Sequence, residues 1–130
     1  MTQGDVGYAA ICEALAALPP HGRRRLVEIA LESGYAAKDV AEMMQVSPPA
    51  VSRYTRGTLA PSPGALCRLL MSIDPSTRAR LLVEATRSLW RLLNQLLDNM
   101  PPTPEAETLV EEIADTISEK MLHIHERRRA

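Results

Sequence analysis

Apolar residues recur along this chain at intervals of three and four, the spacing of one buried helical face. Proline and glycine interrupt the pattern and divide it into segments of helical length. The pattern predicts helices at residues 6–18, 22–33, 37–44, 48–57, 63–73, 75–100 and from 104 to near the C-terminus. We find no internal repeat and no strand pattern. We therefore expect an all-α fold with an N-terminal helix in residues 1–20, a compact domain in 21–73 and two long helices in 74–130.

The segment 37–57 (AKDVAEMMQVSPPAVSRYTRG) holds two short helices joined by a tight turn. The first helix carries its apolar side chains on one face, namely Val40, Ala41 and Met44. Val46 follows in the turn and is placed to fill the corner between the helices. Ser47 is a good N-cap for the second helix, and Pro48 then occupies the first helical position, where a missing N–H costs nothing.

The second helix of this segment, residues 48–57, has one apolar face and one polar, basic face. We expect Val51 and Tyr54 to point inward together with Ser47. Four residues share the outer face: Pro49, Ser52, Arg53 and Arg56. A helix of this kind fits the major groove of DNA, where arginine can hold guanine with two hydrogen bonds. Gly57 supplies the end of the helix.

On these residues, segment 37–57 resembles, without a gap, the helix-turn-helix of the λ repressor/Cro-like (XRE-like) family. The resemblance extends more loosely over residues 22–73. It implies a λ-repressor-like domain that binds double-stranded DNA with its second motif helix in the major groove. It also places Lys38 near the DNA backbone, where a lysine positions the protein without reading sequence.

Two features depart from the usual pattern of that family. The turn has Gln45 where glycine is common, and the recognition helix begins with Pro48 and Pro49, which cannot donate hydrogen bonds. We expect Ser52 and Arg53 to read bases while the prolines touch thymine methyl groups. The residues expected to contact DNA are Lys38, Ser47, Pro48, Pro49, Ser52, Arg53, Arg56 and Thr58.

The two long helices in residues 74–130 carry wide apolar stripes that need a partner. In the last helix the stripe consists of Leu109, Ile113, Ile117, Met121 and Ile124, while the other faces are acidic. We expect the two helices to pack as an antiparallel hairpin and to build a homodimer. Such a dimer would present two recognition helices about one DNA turn apart. The alternative is that the hairpin packs on the DNA-binding domain of its own chain.

Composition and charge restrict the function further. The net charge is −1, so any DNA binding must act locally, through the face of the motif. Cys12 and Cys67 are isolated, which favours reduced, buried cysteines of a cytoplasmic protein, with a disulfide between them as the alternative. His123 and His125 diverge on a helix and are poorly spaced for a metal. We expect no cofactor, no membrane segment and no catalytic site.

Together these patterns predict a cytoplasmic, homodimeric transcriptional regulator that is not an enzyme; they indicate no particular effector ligand. Two alternatives stay open. One is a protein-interaction module, such as an adaptor or an antitoxin-like partner, in which the motif serves packing. The other is a DNA-binding protein of low specificity with a partition or architectural role.

Overall fold

The computed structural model describes residues 3–129, with side chains from Gly7 onward, so the first two residues of the predicted N-terminal segment lie outside it. This part of the chain is helical with no strand, which confirms the all-α prediction. Its helices are α1 (Gln3–Leu15), α2 (Pro20–Glu32), α3 (Ala37–Met44), α4 (Pro48–Arg56), α5 (Pro63–Ser72), α6 (Pro75–Asp98) and α7 (Pro104–Arg129).

Four helices begin at a capping side chain that is followed directly by proline. The caps are Ser47, Ser62, Asp74 and Thr103, and each accepts a hydrogen bond of 3.0–3.3 Å from the N–H three residues further on. The proline takes the first helical position, whose N–H would have no partner within the helix. Because both signals are local, the starts of α4 to α7 agree with the starts predicted from the sequence.

The first helix departs from its predicted range of 6–18, since it begins at Gln3 and ends at Leu15. After Leu15 the chain continues in tight turns, in which the Leu18 N–H donates to the Leu15 carbonyl at 3.1 Å. Leu15 and Leu18 are both buried. The segment therefore still contributes two leucines to the core, although its last residues are not helical.

The described residues divide after Leu93 into two compact units. The first unit has one apolar core to which α1 to α6 all contribute. The predicted apolar inner residues of α3 and α4 all lie in this core: Val40, Ala41, Met44, Val51 and Tyr54. Full burial of a valine or methionine side chain stabilises a fold by about 1.5–3 kcal/mol. These core contacts therefore hold α3 and α4 against each other.

The second unit contains the end of α6 and all of α7. In its described residues only Ala106 is buried, and Ile113 is half-buried. The pairing of the two long helices as a hairpin, and the role of residues 74–130 in dimerisation, stay predictions. Across residues 3–129, none of the helices combines the length and the apolar character needed to span a membrane.

The favoured interpretation of the two cysteines as reduced residues was wrong, and the structure has the alternative, a disulfide between them. Cys12 on α1 and Cys67 on α5 form a disulfide, with their Cα atoms 5.4 Å apart, and both residues are half-buried. This Cα separation lies within the range that disulfides require. The two positions are 55 residues apart in the sequence, and they meet because α1 packs along α5. That contact is a tertiary one that the spacing of isolated cysteines does not reveal.

Candidate nucleic-acid interface

The corner between α3 and α4 is a tight turn with one residue in the left-handed backbone conformation. Gln45 has φ 57° and ψ 45° and is the only non-glycine residue with positive φ in the described chain. The Val46 N–H donates to the Ala41 carbonyl at 3.0 Å and closes the turn. Because the left-handed conformation strains a residue that has a Cβ atom, the packing of the two helices must hold it in place.

The inner face of α4 agrees with the prediction except at one position. Val51 is fully buried and Tyr54 is 4% exposed. Burial raises the pKa of the Tyr54 hydroxyl, while nearby Arg68 acts in the opposite direction. Ser47 is exposed rather than inward-facing, because its hydroxyl accepts a hydrogen bond from the Ala50 N–H at 3.3 Å and caps the helix.

The outer face of α4 presents Ser52, Arg53 and Arg56 to solvent. The Arg56 Nε–H donates to the Ser52 carbonyl at 3.4 Å, so the Arg56 side chain lies back along the surface of α4. The Thr58 N–H donates to the Arg53 carbonyl at 3.1 Å and ends the helix beyond Gly57. All the residues expected to contact DNA are exposed: Lys38, Ser47, Pro48, Pro49, Ser52, Arg53, Arg56 and Thr58.

The N-terminus of α4 has few hydrogen-bond donors to offer. Pro48 and Pro49 have no N–H, and the N–H of Ala50 is already bonded to the Ser47 hydroxyl. A helix N-terminus usually attracts phosphate through its free N–H groups. This one lacks the first two of those groups and uses the third, so its hydrogen bonds to a phosphate must come from side chains rather than from these N–H groups.

From the end of α3 to the end of α5 all the charged side chains are basic, while Asp39 and Glu42 lie earlier, on α3. Between Met43 and Ile73 the chain has three arginines and no acidic residue. In the described chain the ion pairs lie elsewhere, for example between Arg25 and Glu32 at 2.8 Å on α2. Among residues 3–129 no carboxylate forms an ion pair with Arg53. Its exposed guanidinium is therefore available to bind an anionic ligand.

Comparison with known protein families agrees with this geometry. Residues 26–72 match the model of the helix-turn-helix family. This segment is a helix-turn-helix domain of the λ repressor/Cro-like type. The match runs from α2 to α5 and confirms the resemblance seen in the sequence over residues 22–73. Searches of the curated proteins and of the solved structures each gave no match.

Two arginines that the sequence analysis did not assign to the motif support it from outside segment 37–57. The Arg68 Nε–H on α5 donates to the Met44 carbonyl at 2.8 Å, at the end of α3. Arg23 on α2 donates from Nη1 to the Pro61 carbonyl at 3.1 Å and holds the loop after α4. The position of Arg68 among the leucines of α5 is the one signal that could have revealed its role.

Proposed function

We propose that this protein is a transcriptional regulator that binds double-stranded DNA as a homodimer, with α4 in the major groove. One observation carries the proposal: the helix-turn-helix domain exposes Ser52, Arg53 and Arg56 on a face without any acidic residue. Such a face combines attraction to phosphate with side chains that can reach base edges. Because the matched family is one of DNA-binding domains, we propose no enzymatic activity.

Within this proposal the exposed residues have different tasks. Ser52 and Arg53 lie in the middle of α4 and read base edges, because arginine can donate two hydrogen bonds to guanine. Arg56, near the end of α4, and Lys38, near the start of α3, hold phosphates and fix the orientation. Pro48 and Pro49 contribute apolar contact with thymine methyl groups.

Ser47 and Thr58 stand at the two ends of α4. Their hydroxyls serve the helix first: Ser47 accepts from Ala50 and Thr58 donates to the Arg53 carbonyl at 3.4 Å. Each hydroxyl keeps further hydrogen-bonding capacity. In the proposed complex, both side chains therefore add contacts to the DNA backbone while they hold the recognition helix.

Substitution of Arg53 tests the proposed orientation. Arg53→Ala should weaken binding to the cognate site by about 1–3 kcal/mol and relax specificity at one base pair. Arg91→Ala is the matched control, because Arg91 is an exposed arginine on α6, outside the helix-turn-helix domain. Unchanged affinity of Arg53→Ala in a gel-shift titration would mean that α4 does not enter the groove in this way.

The salt dependence of DNA affinity distinguishes residues that read bases from residues that contact phosphates. Arg56→Ala should weaken binding to specific and random DNA alike and lower the slope of log K against log salt by about one. The first experiment compares DNA upstream of the protein's own gene with random DNA at two salt concentrations. Preference for the upstream DNA supports a specific regulator.

Two observations favour the alternative functions enough to test them. The lack of donors at the start of α4 favours low specificity, and equal affinity for both DNAs would indicate a partition or architectural role. The exposed apolar residues of α7 favour a protein-interaction module such as an adaptor or antitoxin-like partner. No binding to either DNA at low salt would support that second alternative.

The homodimer is supported by the second unit. Leu109, Val110, Ile117 and Met121 on α7 are all more than two fifths exposed. Exposed apolar side chains that lie close together on one helix are typical of interaction surfaces. Sedimentation equilibrium of the full chain would give the stoichiometry, and a monomer at all concentrations would remove this part of the proposal.

A further inference from the structure

The last helix has a continuous apolar stripe that the described chain leaves largely uncovered. We define the α7 stripe by the residues that recur at intervals of three and four along one face: Ala106, Val110, Ile113, Ile117, Met121 and Ile124. Ala106 is buried and Ile113 half-buried, while Ile117 is 55% and Met121 52% exposed. A helix with such a stripe is stabilised mainly by burying it against another surface.

The charge of α7 changes sign along its length. Residues 104–116 contain five acidic side chains and no basic one. Residues 117–129 contain two acidic side chains together with Lys120 and three consecutive arginines, which gives a net charge of +2 with histidine neutral. The polarity suits the helix dipole, but the dipole does not account for the apolar stripe beside it. The two features together fit a partner with the same stripe and the opposite charge sequence.

A second copy of α7 running in the opposite direction is such a partner. We propose that two copies of this protein associate through antiparallel pairing of their α7 stripes, with the two-fold axis near Thr116. Glu105 and Arg127 each lie eleven residues from Thr116 and share one flank of α7. Antiparallel pairing therefore places Glu105 of each copy near Arg127 of the other, and the acidic half of each helix beside the basic half of its partner.

Parallel pairing would have the opposite electrostatic result, because the two acidic halves would lie side by side. Like charges placed side by side across an interface destabilise it, and five acidic residues on each copy would face one another in this arrangement. The inference rests on the homodimer of the proposed function and adds to it the surface and the orientation of the two chains.

The stripe is tested with one substitution and a matched control in the full chain. Ile117→Asp should weaken self-association roughly a hundredfold, because it puts an unpaired carboxylate in the middle of the interface. Leu122→Asp should leave association unchanged, since Leu122 is 64% exposed and lies on the opposite face of α7. Both are measured by sedimentation equilibrium, with circular dichroism to show that the helices persist.

The orientation is tested by reversing the charges of one pair. Glu105→Lys should weaken association about threefold, as should Arg127→Glu, and both changes together should restore it. If the pairing is parallel, Glu105→Lys instead strengthens association, because it relieves repulsion between the acidic halves. That result would overturn the antiparallel arrangement while leaving the homodimer in place.

The remaining outcomes separate this inference from the proposed function. A dimer that survives both Ile117→Asp and the charge reversals forms on another surface, so only the inference fails. A wild-type chain that stays monomeric removes both the pairing and the homodimer, and α7 is then a surface for a different partner. DNA binding is measured independently through Arg53→Ala and is not decided by any of these results.

Discussion

Opening the disulfide between Cys12 and Cys67 should destabilise the first unit without altering its recognition surface. The bond joins α1 to α5, whereas the face proposed to bind DNA lies on α4. Without the bond, after reduction or in the double variant Cys12→Ser with Cys67→Ser, residues 12 and 67 can move apart in the unfolded chain, which raises its entropy. The core residues of α1 and α5 remain, so we expect the reduced protein to fold.

The size of the effect follows from the length of the closed loop. The two cysteines are 55 residues apart, and the chain-entropy relation gives a loss of about 14 cal/mol/K for a loop of that size, or about 4 kcal/mol at 25 °C. Domains are typically stable by only about 5–15 kcal/mol. The disulfide is therefore expected to supply a large share of the free energy of unfolding.

Urea unfolding followed by circular dichroism measures this difference. With a slope of about 2 kcal/mol/M, a loss of 4 kcal/mol lowers the midpoint by about 2 M. The double serine variant should unfold like the reduced wild type, and reducing agent should have no effect on it. If two thiols titrate in the native, untreated protein and reduction leaves the midpoint unchanged, the bond does not form and the reasoning fails.

Three further predictions concern the turn and the helix ends. Arg68→Met should lower the free energy of unfolding by about 1.5–3 kcal/mol, because it removes a charged donor from the Met44 carbonyl; Arg68→Lys should recover part of this, and equal stability of all three proteins by urea titration would contradict the role. Gln45→Gly should raise stability by about 1 kcal/mol by relieving the left-handed strain at φ 57°, and a lower melting temperature would contradict it. Hydrogen bonds from Thr77 and then Tyr35 hold the pKa of Asp74 below its ordinary value of 3.8. The stability that this carboxylate contributes is thus fully present above about pH 4 and lost as the pH falls further, so Asp74→Asn should flatten the acid side of the stability profile, and parallel profiles would refute the assignment.

The helix-turn-helix domain was predictable because its signals are local. The caps at Ser47 and Ser62 act over three residues, and the inner residues of α3 and α4 repeat at helical spacing. Even so, local rules misplaced Ser47 itself, which was expected to point inward but caps α4 from an exposed position. The eight residues expected to contact DNA all reach the surface, and their contacts with DNA stay a prediction.

The contacts that the sequence did not reveal join distant parts of the chain. Arg68 and Met44 are 24 residues apart, and Arg23 and Pro61 are 38 residues apart. In each case an arginine donates to a backbone carbonyl, an acceptor that every residue possesses. Residue type therefore carries no information about the partner, and only the packing of the helices brings donor and acceptor together.

The paired prolines at the start of α4 bear on how much information this protein can extract from a genome. If α4 is the reading helix, Pro48 and Pro49 remove the donors of its first turn, and discrimination rests on Ser52 and Arg53. Each good base contact is worth about 1–3 kcal/mol against the wrong base pair. A half-site read in this way recurs often by chance. Two half-sites at a fixed spacing would therefore be needed to define a single genomic site.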